Sequence, residues 1–191
     1  LARDRKTAQL VNVLPSERPQ DAYKVVAETA KPFVPISLHH VWDRKKVKRT
    51  VMTIPYNAKP FSNRSYIKDA LKEDGVEIDK DELTFTVKAV RDAMHTVVPG
   101  PMNVMKWIED EVSKAIKRGA KELEWVTPSG FVVKQRIMKR KVDRITLQLL
   151  GRCDISVAST SNEVDLSRHK AATAPNLIHS LDASLLHLST I

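Results

Sequence analysis

The chain has 191 residues, of which 42% are hydrophobic and 29% charged, the balance of an ordinary globular protein. A single cysteine, Cys153, excludes an internal disulfide framework and suits a reducing compartment. No apolar run approaches the ~20 residues that cross a bilayer, and the net charge of +9 favours an anionic partner, most simply nucleic acid.

In chain order, Pro19 to Ala30 reads as a helix with Pro19 in its first turn, a Tyr23–Val26–Ala30 stripe, and Pro32 as its stop. Pro32 and Pro35 lead into a basic helix over residues 39 to 54. Five of its six residues from Arg44 to Arg49 are cationic. Within it Arg44, Lys48, Met52 and Tyr56 recur every four residues, and each such step advances only about 40° around a helix. The four form one stripe of two cations, a soft apolar residue and an aromatic ring. That order matches the phosphates, base and sugar of a nucleoside triphosphate. Spacing alone leaves a solvated basic face, with Met52 and Tyr56 in a core, fully open. Pro55 lacks an N–H and predicts a helix end or kink near Ile54, and Asn57 suits a turn in the left-handed region.

Phe61 to Leu71 predicts a short helix, followed by an acidic loop around Gly75. From Lys68 to Glu82 there are seven acids and three lysines, and a solvated loop is a simpler reading of them than a cation site. Asp79 to Asp81 are placed to cap a helix running to Val90 or Met94. Pro99, Gly100 and Pro101 break the chain. Met102 to Arg118 then forms the best amphipathic helix, with Met105, Ile108, Val112 and Ala115 or Ile116 on one face and Gly119 as its cap.

After Lys121 the hydrophobic period changes to two. Trp125 to Val133 reads as two strands turning at Pro128 and Gly130. A second hairpin over about Val142 to Val157 turns near Gly151 and Arg152. Its first strand sets Ile145, Leu147 and Leu149 on one side and Arg144, Thr146 and Gln148 on the other. Such a two-stranded ribbon fits the major groove of B-form DNA, and it is also what any half-exposed hairpin looks like. Ala174 to Ser184 predicts a loop entering a helix with His179, Asp182 and Leu186 along one side. The fold class expected is α+β, mostly helical, with β-hairpins in the C-terminal half.

Several chemistries find no support. One cysteine leaves no zinc-spaced cluster, adjacent His39 and His40 diverge on a helix, and neither a phosphate-cradling glycine loop nor a Gly-x-Ser-x-Gly elbow occurs. The absence of an initiator Met and the helix-like ending Ser184–Ile191 read as an internal piece of a longer protein.

Four segments occur in order: Val13-Leu14-Pro15-Ser16-Glu17; Arg44-x3-Lys48-Arg49-Thr50-Val51-Met52-Thr53 with Tyr56; Trp125-Val126-Thr127-Pro128-x-Gly130-Phe131; and Ala174-Pro175-Asn176-x-x-His179-Ser180-Leu181-Asp182-x-Ser184. Together they resemble the bacteriophage-type single-subunit DNA-directed RNA polymerases, a family that includes the mitochondrial enzyme, and the second segment is similar to its fingers motif B. The resemblance implies a fingers subdomain over residues 1–178. Within it lie a nucleotide-binding helix at 39–57, a hairpin at 124–137 and a specificity-loop-like ribbon at about 138–160, and residues 179–191 begin the return to the palm. It implies that Lys48 contacts the incoming triphosphate and stabilises charge at the transferring phosphoryl. Arg44 grips the outer phosphates with help from Arg49, Met52 packs on the base, and Tyr56 senses the ribose. His179 reaches the minor groove of the new pair, and Arg144, Thr146, Asp154 and Ser156 occupy promoter-reading positions.

The implied cofactor is a pair of Mg²⁺ ions. Their aspartates fall in Asp-Gly-Ser-type and His-Asp-Ser-type motifs that this sequence lacks, so the piece alone is expected to be inert. Template and promoter DNA, the RNA product and ribonucleoside triphosphates are the implied partners of a monomeric enzyme that touches no membrane. Its implied setting is the cytoplasm of an infected bacterium rather than a mitochondrion. Two features depart from the family pattern: Asn57 stands where a glycine is usual, and Pro55 precedes the tyrosine. A family A DNA polymerase and a non-enzymatic basic DNA-binding module are the other two readings. The first lacks a use for the 134–158 ribbon, and the second has no need of the Arg-Lys-Met-Tyr stripe.

Overall fold

The computed structural model describes residues 4–148 and 151–190. The chain is α+β, and it divides into two compact units, residues 1–107 and 108–191, with the boundary inside one helix.

The first unit is helical. Helix α1 (Arg5–Leu10), capped by Asp4, was not anticipated from the sequence. Helix α2 (Ala22–Ala30) begins later than the Pro19 reading. The reason is Asp21, whose carboxylate accepts the N–H groups of Tyr23 and Lys24 and so fixes the first turn. The basic helix is likewise shorter than expected. Helix α3 (Arg44–Thr53) starts after Asp43, which caps it by accepting the Lys45 N–H, while residues 36–38 form a separate 3₁₀ turn. Helices α4 (Pro60–Lys72), α5 (Lys80–Val97, capped by Asp79) and α6 (Pro99–Lys117) follow. The chain breaks at Val98, next to the predicted Pro99-Gly100-Pro101, but those three residues already form the opening turn of α6, which starts earlier than the Met102 reading; there the missing proline N–H has no helical partner to lose.

The core of this unit is apolar. Val26, Ala27 and Ala30 from α2, Val47 and Val51 from α3, Ile67 and Leu71 from α4, and Val87, Val90 and Met94 from α5 are all buried together. Each fully buried aliphatic side chain of this kind contributes roughly 1.5–3 kcal/mol. Trp42 joins them, its indole N–H donating to the Ala27 carbonyl at 3.0 Å and so tying the approach to α3 onto α2.

The second unit is built differently. Strands β1 (Leu123–Val126) and β2 (Val132–Gln135) form a short antiparallel hairpin, with Trp125 opposite Val133. Strands β3 (Met138–Leu147) and β4 (Cys153–Val164) form a longer antiparallel ribbon with an irregularity between Met138 and Arg140. The ribbon is longer at its base than the sequence suggests, and Leu149 lies outside the described residues. Helix α7 (Leu166–Ser189) closes the chain.

Ala174 to Asn176 are inside α7 rather than in a loop before it. Pro175 removes one helical hydrogen bond, but neighbours hold the helix across the gap. The Thr173 hydroxyl donates to the His169 carbonyl at 2.6 Å, and the Asn176 amide donates to the Gln135 side-chain oxygen at 2.8 Å.

Candidate nucleotide and nucleic-acid sites

The face of α3 that packs inward carries Val47, Thr50 and Val51, and Ile54 continues it into the next turn. With that face committed to the core, Arg44, Lys48, Arg49 and Met52 are exposed on the other side. Met52 is 48% and Tyr56 58% exposed, so neither is a core residue despite its helical spacing. Residues 54–56 tighten into a 3₁₀ turn with Pro55 inside it. Asn57 follows at φ 61°, ψ 33°, the left-handed conformation that asparagine tolerates at low cost. The asparagine therefore meets the same backbone requirement as a glycine would. Behind this turn Arg91, half-buried on α5, donates to the Ala58 carbonyl at 3.0 Å and to Asn63 at 2.7 Å. Burial lowers the Arg91 pKa, partly opposed by Asp92.

The cations of the run have separate fates. Lys46 is only 2% exposed; its ammonium bridges Asp74 at 2.5 Å and Asp43 at 3.4 Å, so it is a structural pin and not available to an anion. Its hydrogen bond holds the Asp74 carboxyl below the usual carboxylate range. Arg44 pairs with Asp21 at 2.6 Å and lies over the Tyr23 ring at 5.1 Å. Arg49 stacks over Tyr66 of α4 at 4.3 Å. Lys48 has no ion pair or hydrogen bond from its side chain to any described residue, which leaves its charge for an external anion. Sequence spacing found the exposed stripe. It missed Asp21, Tyr23, Tyr66 and Arg91, which lie 17 to 33 positions from the residues they contact, a separation no local pattern reports.

On the ribbon, Arg144 pairs across from Ser156 and Thr146 across from Asp154. The four promoter-reading candidates thus form two adjacent cross-strand pairs on one face, with the Thr146 hydroxyl donating to Asp154 at 2.7 Å. The opposite face carries Ile145, Leu147, Ile155 and Val157, all exposed. The base of the ribbon is held by buried polar groups. His169 Nε2 accepts the Ile137 N–H at 2.9 Å, and the Asp165 N–H donates to the Ile137 carbonyl at 3.0 Å. Gln135 is buried against His169 and Thr173. Burial lowers the pKa of His169, and the nearby Asp165 carboxylate opposes this.

His179 is exposed on α7. One residue on, the Ser180 hydroxyl accepts the Trp125 indole N–H at 2.9 Å, and Ser184 accepts the Ser129 N–H at 2.8 Å. Those bonds fasten the β1–β2 hairpin to the helix that bears His179. Among the described residues no group of three or more His, Cys, Asp or Glu side chains could hold a metal ion. No described helix is long and apolar enough to cross a membrane.

A family model described as DNA-dependent RNA polymerase matches residues 1–191. The DNA-directed RNA polymerase of Enterobacteria phage K11 is 27% identical to the chain, over all of the chain and 27% of the phage protein. Two proteins of Nicotiana tabacum are similar over the full chain. One is DNA-directed RNA polymerase 1B, mitochondrial, 29% identical with 21% of its length covered; the other is DNA-directed RNA polymerase 2A, 28% identical with 62% covered. The chain therefore spans less than two thirds of each of these relatives.

Proposed function

The chain belongs to the phage-type, single-subunit DNA-dependent RNA polymerase family, and from that premise we propose that it is the fingers portion of such an enzyme, over residues 1–178 with 179–191 turning back to the palm. In this reading it binds the incoming ribonucleoside triphosphate and contacts template and promoter DNA while the parent enzyme transfers nucleotides to RNA. The observation that carries the proposal is the stripe itself. Arg44, Lys48 and Met52 are exposed along one helix whose opposite face is locked into an apolar core, and Tyr56 is exposed on the 3₁₀ turn that closes it.

Phosphoryl transfer depends chiefly on positioning and on stabilising the charge that develops, so a cation on a rigid helix is worth several kcal/mol. Lys48 takes that role at the transferring phosphoryl. Arg44 holds the outer phosphates, and Arg49, stacked on Tyr66, adds positive potential beside them. Met52 offers a polarisable surface to the base. Tyr56 closes on the pair and tests the sugar. His179 donates into the minor groove, where the acceptors of correct pairs coincide, and Arg144, Thr146, Asp154 and Ser156 meet the promoter.

The pair of Mg²⁺ ions implied by the family is assigned, in this reading, to Asp-Gly-Ser-type and His-Asp-Ser-type motifs, neither of which occurs in this sequence. The contribution proposed for this segment is cationic and positional. A phage-type enzyme of this kind would act as a monomer in the cytoplasm of an infected bacterium.

The test is the parent enzyme's Lys48→Ala variant. It should lose about 10²–10³-fold in nucleotide addition, as when one charge-stabilising donor is removed, and still bind promoter DNA. Near-normal elongation would reject the assignment. Tyr56→Phe should admit deoxynucleotides more readily, and unchanged sugar discrimination would remove Tyr56 from its role. Primer-independent initiation separates this reading from a primer-extending polymerase.

A further inference from the structure

We propose that Asp21 and Tyr23 are positioning residues for the reaction, holding the guanidinium of Arg44 in the orientation in which it receives the triphosphate. The proposal rests on the reading of Arg44 as a triphosphate contact.

Most surface ion pairs are loose, because two long side chains must be ordered to make them. This one is not free to wander. Asp21 caps α2, and its Oδ1 accepts the N–H groups of Tyr23 at 3.0 Å and Lys24 at 3.2 Å. The carboxylate cannot rotate without losing the cap, so Oδ2 is presented in a fixed direction. Arg44 Nε donates to that Oδ2 at 2.6 Å, and the guanidinium carbon lies over the Tyr23 ring, 5.1 Å from its centre. The hydrogen bond and the ring contact together restrict where the group can sit.

The backbone on both sides is also tied down. Arg44 is the first residue of α3, Asp43 caps that helix, and Trp42 is buried with its indole N–H on Ala27 of α2. Desolvation alone would raise the Asp21 pKa. The Lys24 N–H and the Arg44 guanidinium outweigh it, and the carboxyl stays below its ordinary value.

A guanidinium has five N–H donors in a rigid fork. Asp21 takes the one on Nε. The four on the Nη atoms have no acceptor among the described residues, and these are the donors suited to a bidentate grip on phosphate oxygens. An arginine so held gives up little further side-chain freedom when the ligand arrives. The alternative is a latch, in which Asp21 competes with the triphosphate for Arg44. That predicts the opposite change in affinity.

The experiment uses the parent enzyme extending RNA on a pre-assembled template scaffold, with ribonucleoside triphosphate varied. Asp21→Asn and Asp21→Ser both keep a residue able to cap α2 while removing the charge. Agreement between them, with unchanged thermal melting, separates orientation of Arg44 from damage to the helix. Each should raise KM about three- to tenfold with kcat within about twofold, the pattern of lost ligand binding rather than lost chemistry. Asp21→Asn combined with Arg44→Ala should be no worse than Arg44→Ala alone, since a residue acting through Arg44 has nothing to act on once it is gone. Tyr23→Leu should raise KM in the same direction.

Unchanged or lowered KM for the Asp21 variants, while Arg44→Ala raises it, would overturn the proposal and leave the triphosphate reading standing. Multiplying effects in the double variant would overturn it too. If Arg44→Ala itself leaves KM unchanged, the triphosphate reading fails and takes the proposal with it.

Discussion

The α3 helix and the β3–β4 ribbon both present an ordered row of polar side chains, but they hold that row in place by different means. Helix α3 is fixed from behind. Val47, Thr50 and Val51 are buried, Lys46 is pinned between two carboxylates, and the exposed stripe follows from what the helix cannot turn away from the core. The ribbon has no such backing. The residues from Lys139 to Leu147 are exposed on both faces, and the strands are held in register by each other and anchored at Ile137 by His169 and Asp165. A site on the helix inherits the stability of a close-packed interior. A site on the ribbon inherits only cross-strand pairs, each worth roughly 0.2–1 kcal/mol. The first suits a ligand that must be met in one geometry at every catalytic cycle. The second suits a surface that adjusts to a grooved polymer.

Stability measurements on paired lysine variants would break this comparison most directly. Lys46→Ala removes a buried stem and leaves Asp43 and Asp74 facing each other without their cation, and should cost about 2–4 kcal/mol in urea denaturation. Lys46→Met keeps most of the volume and should cost less. Lys141→Ala, on the ribbon and paired with Asp143 only at 3.7 Å, should change stability by less than about 0.5 kcal/mol. Comparable losses at both positions would mean that the ribbon is backed by packing after all.

The anchor of the ribbon is expected to respond to pH. His169 Nε2 accepts a hydrogen bond, so protonation there breaks the contact with Ile137. Burial holds the folded pKa below the ordinary 6.5. Between the two values the unfolded chain binds more protons, so stability falls as pH drops through 6.5 and the loss is complete below the folded pKa. His169→Leu leaves the Ile137 N–H without its acceptor and should cost about 1–3 kcal/mol. His169→Gln, which keeps an acceptor at similar reach, should recover part of that loss. Melting of the wild-type chain should show an acid-dependent step between about pH 7.5 and 5 that both variants lack. An identical pH profile in His169→Leu would assign the step to another group.

These contrasts also explain which features the sequence disclosed. The stripe on α3 was legible because helical spacing is local, and Arg44 to Tyr56 needs only one uninterrupted helix and its closing turn. The ribbon was legible because alternation is local as well; the pairs Arg144–Ser156 and Thr146–Asp154 follow once Gly151 marks the turn. What stayed hidden was tertiary. Nothing local sets Lys46 apart from the other four cations of its run; Asp74, 28 positions away, is what pins it. Pro175 and Asn176 looked like a loop because both disfavour helix interiors. Only Gln135, on a strand 40 positions earlier, shows why α7 continues through them. His169 carries no motif that marks it, and its role comes from the burial of Gln135 and Thr173 around it.

The smallest effect expected on stability carries the most information about the ribbon. Thr146→Val keeps the shape and strand preference of the side chain and deletes the hydroxyl that donates to Asp154 at 2.7 Å. Both residues are exposed, so Asp154 exchanges that bond for water, and the melting transition should move by no more than the equivalent of about 0.5 kcal/mol. Promoter discrimination by the parent enzyme answers to a different quantity. If this face reads base edges, replacing a hydroxyl by a methyl group and freeing the Asp154 carboxylate alters the donor and acceptor pattern offered to the groove. A change at one contacted base pair is worth about 1–3 kcal/mol of discrimination. Relative initiation rates on a set of promoters, each differing at one base pair, should therefore be reordered while melting is unchanged and elongation on a pre-assembled scaffold stays at the wild-type rate. An unaltered ranking would remove Thr146 and Asp154 from the promoter-reading face. A parallel fall in elongation would instead make the ribbon part of the general nucleic-acid grip, and the division of labour between helix and ribbon would have to be redrawn.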